Sequence, residues 1–307
     1  MKILLAVDGS EPSLDAVSLV KALSLPAGSV IEVMTVIADQ PLDYGTWPAS
    51  APIQTPAPDR TFSDVRARVD HIAAGLATDD QTICTIVRHG RPASEIVTEA
   101  YRFGVDLIVV GARGHSAVER LLVGSVSSEV VDQAHCPVLV VRSPRFARVL
   151  LATDGSTDGA AAAAFLATSR IFGEPAVKVI SVVDPGMPWW ASISPVDGAV
   201  AADAYASALR AAEDHAREVA SSTAASLGVE QVVAEASPLG GEVGSTIVAE
   251  ATDWQADMVV LGTRGHGLLH RALVGSTSRH VLHHAPTSVL IVRPARTADA
   301  SAGVEAA

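Results

Sequence analysis

Cysteine, lysine and long apolar runs are all scarce in this chain of 307 residues. The two cysteines, Cys84 and Cys136, are too few for a disulfide-stabilised scaffold or a cysteine-rich zinc module. The 22 lysine and arginine residues are outnumbered by 34 aspartate and glutamate residues, which gives a formal net charge of −12. That sign argues against proteins that coat nucleic acids or bind anionic membranes, since both need a positive surface.

No apolar run approaches the roughly 20 residues of a membrane-spanning helix. The amino-terminal apolar run meets Asp8 too early for a secretory signal. We therefore expect a soluble, cytoplasmic protein with neither a membrane nor a nucleic acid as partner. The chain does have apolar residues in abundance, 49% against 18% charged, so it can bury a large core.

The chain contains the same sequence pattern twice. Residues 2–10 (KILLAVDGS) return as residues 148–156 (RVLLATDGS). Between residues 111–131 and 262–282, 11 of 21 positions are identical. Matching order and spacing over such lengths indicate a tandem duplication. The duplication predicts a domain over residues 1–143, a second over 147–294 and a disordered tail over 295–307.

Each copy alternates short apolar runs with helical stretches. In the first copy the predicted strands are Ile3–Val7, Val30–Ile37, Thr82–Val87, Leu107–Val110 and Val138–Val141. Near-continuous Val, Ile and Leu runs are typical of parallel strands covered on both faces. Five strands and four helices per copy predict an α/β fold of two tandem doubly wound sandwiches, each with a five-stranded parallel sheet. Ligands bind such sheets at the carboxyl edge of the strands.

Two features recur at that edge in both copies. The first is the aspartate that ends the first strand, Asp8 or Asp154, which either contacts a ligand or caps the following helix. The second follows the fourth strand: Gly-x-x-Gly, nine residues, then Gly-Ser at the start of a predicted helix. Glycines permit close backbone approach, and the amides at a helix start bind anions. The pattern predicts a polyphosphate site; the alternative is that these glycines only form turns.

Two other phosphate-binding motifs are absent. None of the three lysines, Lys2, Lys21 and Lys178, lies beside a glycine, so the chain has no P-loop. The dinucleotide pattern G-x-G-x-x-G fails because His270 stands where its last glycine belongs.

The remaining pattern, G-x-x-G, nine residues, G-[ST], resembles the ATP-binding signature of the universal stress protein family. The opening strand that ends in Asp-Gly-Ser and the closing Pro137-Val-Leu-Val-Val-Arg142 strand extend the resemblance over nearly the whole chain, as two tandem domains. It implies an adenine nucleotide alpha hydrolase-like fold that holds one ATP per domain, alone or with Mg²⁺. It also implies a stress or growth regulator with an unknown regulatory protein partner.

The resemblance further implies how copies and chains assemble. Single-domain relatives dimerise through the last strand, so the two copies should pair within the chain as a pseudo-symmetric dimer. Two such pseudo-dimeric chains would then form a homodimer.

The resemblance also assigns site residues by motif position. The adenosine ends of the two sites would be formed by Asp8, Val36, Val110 and Gly111 and by Asp154, Val182, Leu261 and Gly262. The phosphates would be held by Gly114, Gly124, Ser125, Val126 and Ser127 and by Gly265, Gly275, Ser276, Thr277 and Ser278. Arg113 and Arg264 lie within the same glycine loops, outside the set that the resemblance assigns. The two arginines either neutralise phosphate or are solvated loop residues.

Three functions remain open: an ATP-binding regulator, a slow ATP hydrolase of the same superfamily, and an ATP-independent interaction scaffold. No carboxylate or lysine recurs near the glycine loop to position an attacking water, so weak ATPase activity is the most we expect. We predict no metal site, because His280, His283 and His284 have no counterparts in the first copy. The proline- and tryptophan-rich loops, residues 39–60 and 184–198, form a lid over the site, form a surface for a partner, or pack against the sister domain.

Overall fold

The computed structural model describes residues 1–38, 58–113, 123–184, 198–236, 243–263 and 274–294. Most of the two proline- and tryptophan-rich loops and the whole predicted tail lie outside these ranges. None of the helices in the described ranges has the length and apolar character needed to cross a bilayer.

Within the described residues, both copies have the predicted succession of five strands and four helices. The first copy consists of β1 (Lys2–Ala6), α1 (Glu11–Ala22), β2 (Ser29–Ala38), α2 (Pro58–Leu76), β3 (Gln81–Gly90), α3 (Pro92–Phe103), β4 (Leu107–Gly111), α4 (Ser125–Gln133) and β5 (Val138–Val141). The second consists of β6 (Arg148–Ala152), α5 (Thr157–Ser169), β7 (Ala176–Val183), α6 (Gly198–Leu227), β8 (Gln231–Ala236), α7 (Val243–Asp253), β9 (Met258–Gly262), α8 (Ser276–His284) and β10 (Ser288–Val292).

The ends of α3 illustrate how local sequence sets these bounds. Pro92 begins the helix, at a position where its missing N–H is not needed. Gly104 ends it in the left-handed region at φ 65°, and its amide donates to the Ala100 carbonyl. The second copy has Gln255 at the corresponding position, with φ 53°, so the same turn is made there without glycine.

In the part of the chain that the structure describes, ten strands form one sheet in the order β3-β2-β1-β4-β5-β10-β9-β6-β7-β8. Within each copy all neighbouring strands are parallel. The two halves meet through the antiparallel pair of β5 and β10, in which Leu139 lies opposite Leu290. The predicted pairing of the copies through their last strands is therefore present.

Helices cover both faces of this sheet, as predicted for a doubly wound fold. Leu4 of β1 packs on one face in the same cluster as Ile96 of α3. Ile3 and Leu5 point to the opposite face and join the cluster that contains Leu19 of α1. Because the sheet is covered on both faces, its central strands are apolar along their whole length, which is why they appear in the sequence as continuous runs.

Candidate functional site

Each copy has its topological switch point between its first and fourth strands. β1 lies beside β4, and β6 lies beside β9. The chain leaves β1 toward α1 on one face of the sheet and leaves β4 toward α4 on the other. The connections therefore diverge and open a crevice at the carboxyl edge of the sheet. Asp8 lies two residues after the end of β1 and Gly111 ends β4, so the structure brings these two predicted residues to the same crevice.

A cavity of about 230 Å³ occupies this crevice in the first copy. Nine of the ten residues predicted for the first site line it: Asp8, Val36, Val110, Gly111, Arg113, Gly124, Ser125, Val126 and Ser127. Gly114 lies outside the described residues. The cavity is also lined by six residues that the sequence motifs did not predict, Ala6, Val7, Ser13, Met34, Pro92 and Ile96.

The second copy places its predicted residues at the matching points of its own elements. Asp154 follows β6, Val182 lies in β7, and Leu261 and Gly262 end β9. The remaining described residues, Gly275, Ser276, Thr277 and Ser278, form the start of α8. Arg264 and Gly265 fall outside the described residues.

The start of the predicted phosphate helix is fixed in the same way in both copies. Ser127 Oγ donates to the carbonyl of Gly111 at 2.7 Å, and Ser278 Oγ donates to that of Gly262 at 2.8 Å. The amide of Gly124 donates a hydrogen bond to the Ala112 carbonyl at 2.7 Å, and the amide of Gly275 makes the equivalent bond in the second copy. These side-chain and backbone bonds hold the first turns of α4 and α8 against the ends of β4 and β9.

The glycines that end β4 and β9 are required by packing. A Cβ on Gly111 would lie 2.8 Å from the backbone of Pro12, and one on Gly262 would lie 2.5 Å from the backbone of Asp158. Both distances are far below an ordinary van der Waals contact. The fourth strand of each copy therefore touches the first turn of that copy's first helix, and these glycines have a packing role that their sequence motif does not indicate.

The aspartates that end the first strands do not occupy the N-cap positions. Ser10 is the N-cap of α1 and Ser156 is the N-cap of α5. Asp8 Oδ1 accepts hydrogen bonds from the amide and hydroxyl of Ser10, at 2.9 and 2.6 Å. Asp154 Oδ1 accepts one from the Ser156 amide at 3.0 Å. Each aspartate thus braces the turn before the helix, and the exposed carboxylate of Asp8 forms part of the cavity wall.

The two copies satisfy one turn amide by different means. In the first copy the Gly9 amide donates to Ser13 Oγ at 3.1 Å. In the second, the matching Gly155 amide donates to Thr153 Oγ1 at 3.2 Å. Thr153 corresponds to Val7, and Gly159 corresponds to Ser13. A Cβ on Gly159 would lie 2.7 Å from Thr153 Oγ1. A side chain that bears the hydroxyl therefore fits at the Thr153 position or at the Gly159 position, but not at both.

This exchange predicts that Val7 and Ser13 are energetically coupled. Ser13→Gly alone should lower the free energy of unfolding by about 1–2 kcal/mol, because the Gly9 amide loses its acceptor. Adding Val7→Thr should recover most of that loss, since the first copy then has the arrangement of the second. Denaturant titration of both single variants and the double variant measures the coupling. Simple addition of the two single effects would contradict the exchange.

A second difference between the copies lies just behind the site. Thr263 Oγ1 donates a hydrogen bond to the Asp158 carboxylate, and both residues are buried. The first copy has Pro12 and Ala112 at the corresponding positions. The interior beside the switch point is therefore polar in the second copy and apolar in the first.

One arginine lines the first-copy cavity, and a second arginine interacts with it electrostatically. Arg113 lines the cavity. Burial, and to a smaller extent the charge of Arg113, lowers the pKa of Arg142 to about 10. Arg142 therefore keeps its charge at neutral pH, and the charge of Arg113 favours an anion in the cavity that it lines.

Within the described residues, no group of three or more histidine, cysteine, aspartate or glutamate side chains is arranged to hold a metal ion. His280 and His284 stack with ring centroids 4.1 Å apart, and His280 Nε2 lies 3.2 Å from Ser245 Oγ. The two rings therefore contact each other, and the His280 ring also contacts a neighbouring helix.

The sequence model of the Universal stress protein family matches residues 1–142 and 145–293. A universal stress protein of Methanocaldococcus jannaschii is 29% identical over 148 residues, which are 47% of this chain and 83% of that protein. One of Mycobacterium tuberculosis is 30% identical over 204 residues, 61% of this chain and 62% of that protein. The match thus spans less than two thirds of the mycobacterial relative.

Solved structures agree with the fold. The crystal structure of a universal stress protein from Archaeoglobus fulgidus superposes with a TM-score of 0.63 over 95% of this chain and 98% of that one, at 21% identity. A putative universal stress protein from Pseudomonas aeruginosa gives 0.62 over 96% and 93%, at 17% identity. At these identities the likeness extends to the arrangement of strands and helices and no further.

Proposed function

The chain belongs to the universal stress protein family, as two tandem domains, and from this we propose that it binds one ATP in each domain and regulates stress or growth in a nucleotide-dependent way. A cytoplasmic location, a regulatory protein partner and a homodimer of pseudo-dimeric chains belong to the same proposal. The observation that carries it is the first-copy cavity, which contains both an apolar end and a helix start.

The apolar end suits an adenine ring. Met34, Val36 and Val110 line it with aliphatic and thioether surface, against which a flat heterocycle can pack. Asp8 stands beside this end, where the family resemblance assigns it to the ribose or the adenine. A carboxylate accepts hydrogen bonds from ribose hydroxyls, so its chemistry fits that role.

The other end suits phosphates. Gly124 is the N-cap of α4. Ser125, Val126 and Ser127 supply the backbone amides of the first turn, whose hydrogen bonds no carbonyl within the helix can accept. The positive end of the helix dipole points the same way. Arg113 lines the cavity as well. A triphosphate, alone or with Mg²⁺, is the anion that would use the helix start and the arginine together.

Regulation would follow from the stabilising effect of the ligand. A ligand that binds only the folded state stabilises it by about 2.7 kcal/mol at 100 times its dissociation constant. If ATP favours one of two conformations, its concentration then decides which surface the protein presents to a partner.

Nucleotide released from the purified, denatured protein tests the proposal. We expect ATP at close to two molecules per chain, identified by chromatography and mass spectrometry. About one per chain would restrict the proposal to a single domain. Release of no nucleotide, together with no thermal shift on adding millimolar ATP and magnesium, would overturn it in favour of an ATP-independent scaffold.

A further inference from the structure

The helices that begin at the two proposed phosphate sites end at the boundary between the copies. α4 begins at Ser125 and α8 begins at Ser276. Each has nine residues, or about 13 Å of helix, and each is followed by the last strand of its own copy. Because β5 and β10 pair across the boundary, the far end of each helix lies beside residues of the other copy.

The far end of α4 is held by the second copy. Arg293, which follows β10, donates from Nη2 to the carbonyls of Val131 and Asp132, each at 2.9 Å. Arg279 of α8 forms an ion pair with the Asp132 carboxylate, also at 2.9 Å. Three contacts from the second copy therefore converge on the last turn of a helix that begins at the first-copy site.

The first copy also contacts the end of α8, through fewer hydrogen bonds to the helix carbonyls. Arg142 follows β5 as Arg293 follows β10, and its Nη2 donates to the Leu282 carbonyl of α8 at 3.0 Å. The ion pair has no counterpart, because Ser128 and His283 stand where Arg279 and Asp132 would be repeated. Among the described residues, the carbonyls of α8 thus accept one side-chain hydrogen bond from the first copy, and the Arg279–Asp132 ion pair joins the two helices to each other.

We propose that each copy positions the phosphate-binding helix of the other: Arg293, assisted by Arg279, sets the position of α4 in the first copy, and Arg142 sets that of α8 in the second. This inference rests on the proposed function, because it concerns the same two nucleotide sites. The arginines act as positioning residues; they bind helix carbonyls at the end opposite to the proposed phosphates.

The physical argument is that a short helix held at both ends cannot slide. At its start, α4 is tied to β4 through Ser127 and Gly124. At its end, Arg293 satisfies carbonyls that lack partners within a helix, and its charge interacts favourably with the negative end of the dipole. Hydrogen bonds from the first-turn amides to a phosphate need donor–acceptor distances of about 2.7–3.2 Å. A slide of less than 1 Å along the helix axis would therefore weaken them.

The experiment uses the crossed pattern that this arrangement predicts. Ser276→Glu places a negative charge at the start of α8 and leaves only the first-copy site for ATP, and Ser125→Glu leaves only the second. In the Ser276→Glu background, Arg293→Met should weaken ATP binding about tenfold, since two charge-assisted hydrogen bonds are lost. In the Ser125→Glu background the same change should leave ATP binding unaltered. Isothermal titration calorimetry measures both.

Two further variants separate positioning from general damage. Arg293→Lys keeps a charge and donors, so it should recover most of the affinity. Arg210→Met on α6 is an arginine-to-methionine change on an exposed helix surface and should change neither site. A loss of similar size at both sites, a loss only at the second site, or no loss at either would overturn the proposal.

Amide hydrogen exchange tests the positioning without ATP. In Arg293→Met, exchange at the hydrogen-bonded amides of α4, residues 128–133, should accelerate, while the corresponding amides of α8, residues 279–284, keep their wild-type rates. If no nucleotide bound to either site, the proposed function would fail, yet this exchange result would still support or contradict the hold of Arg293 on α4. Equal exchange in both helices would contradict it.

Discussion

Replacing Ser125 and Ser276 together with glutamate will abolish ATP binding, with a loss of at least about 100-fold in affinity at each site. Both serines are exposed at the first position of their helices, α4 and α8. A glutamate there places a carboxylate where the first phosphate would sit and adds like-charge repulsion. Each single substitution should remove one of the two ATP molecules released from the denatured protein.

The same substitutions should leave the protein folded, which makes the result interpretable. Acidic residues in the first turn of a helix stabilise it by about 0.3–1 kcal/mol, because they face the positive end of the dipole. The melting temperature without ligand should therefore stay the same or rise slightly. Ser125→Gln with Ser276→Gln is the matched control of equal size without charge, and it should retain far more ATP. Undiminished ATP binding by the glutamate variant would show that the helix starts do not hold the phosphates.

An alanine at Gly262 should destabilise the protein by about 3 kcal/mol or more. The added Cβ would lie 2.5 Å from the Asp158 backbone, and a backbone cannot turn aside as a flexible side chain can. Either β9 or the first turn of α5 would have to move, and the buried hydrogen bond between Thr263 and Asp158 would be strained with them. Urea denaturation monitored by circular dichroism measures the loss.

Two other glycines provide matched controls for that substitution. Gly75 lies within α2 with nothing within 4 Å of its notional Cβ, so Gly75→Ala should raise stability by up to about 1 kcal/mol. Gly228 also has open space but has a φ of 68°, so alanine there should cost about 1 kcal/mol from backbone strain alone. If Gly262→Ala cost no more than Gly228→Ala, the close contact between β9 and α5 would be refuted.

The fold could be predicted from the sequence because its signals are local and occur twice. Apolar runs such as 107–110 mark buried parallel strands wherever they lie, and the duplication places every such run a second time. The crevice was predictable for the same reason: Asp8 and Gly111 each follow a strand, and parallel strands bring their carboxyl ends to one edge.

What the sequence did not reveal depends on contacts between distant elements. Met34 and Pro92 line the cavity because of the register of β2 and the start of α3, which no spacing in the chain encodes. In the sequence, Thr153 and Gly159 look like ordinary differences between the two copies. The structure shows that they are linked, because one turn amide needs one hydroxyl acceptor and there is room for only one. Arg293 looks like the end of a strand; only the antiparallel junction reveals that its guanidinium reaches a helix that ends 160 residues earlier.

The antiparallel junction of β5 and β10 has a consequence for how freely the two halves can differ. In a homodimer with an isologous interface, every contact must occur twice, so any change in one subunit is imposed on both. Here one chain supplies both sides of the interface. A short connection between β5 and β6 sets their effective concentration, so dilution of the protein does not separate them. The ion pair between Arg279 and Asp132 occurs once, a contact that identical subunits could not make singly. Because both halves belong to one chain, the two sides of this interface need not be identical. Either half can therefore change at the interface without the same change in the other, and the two halves stay paired.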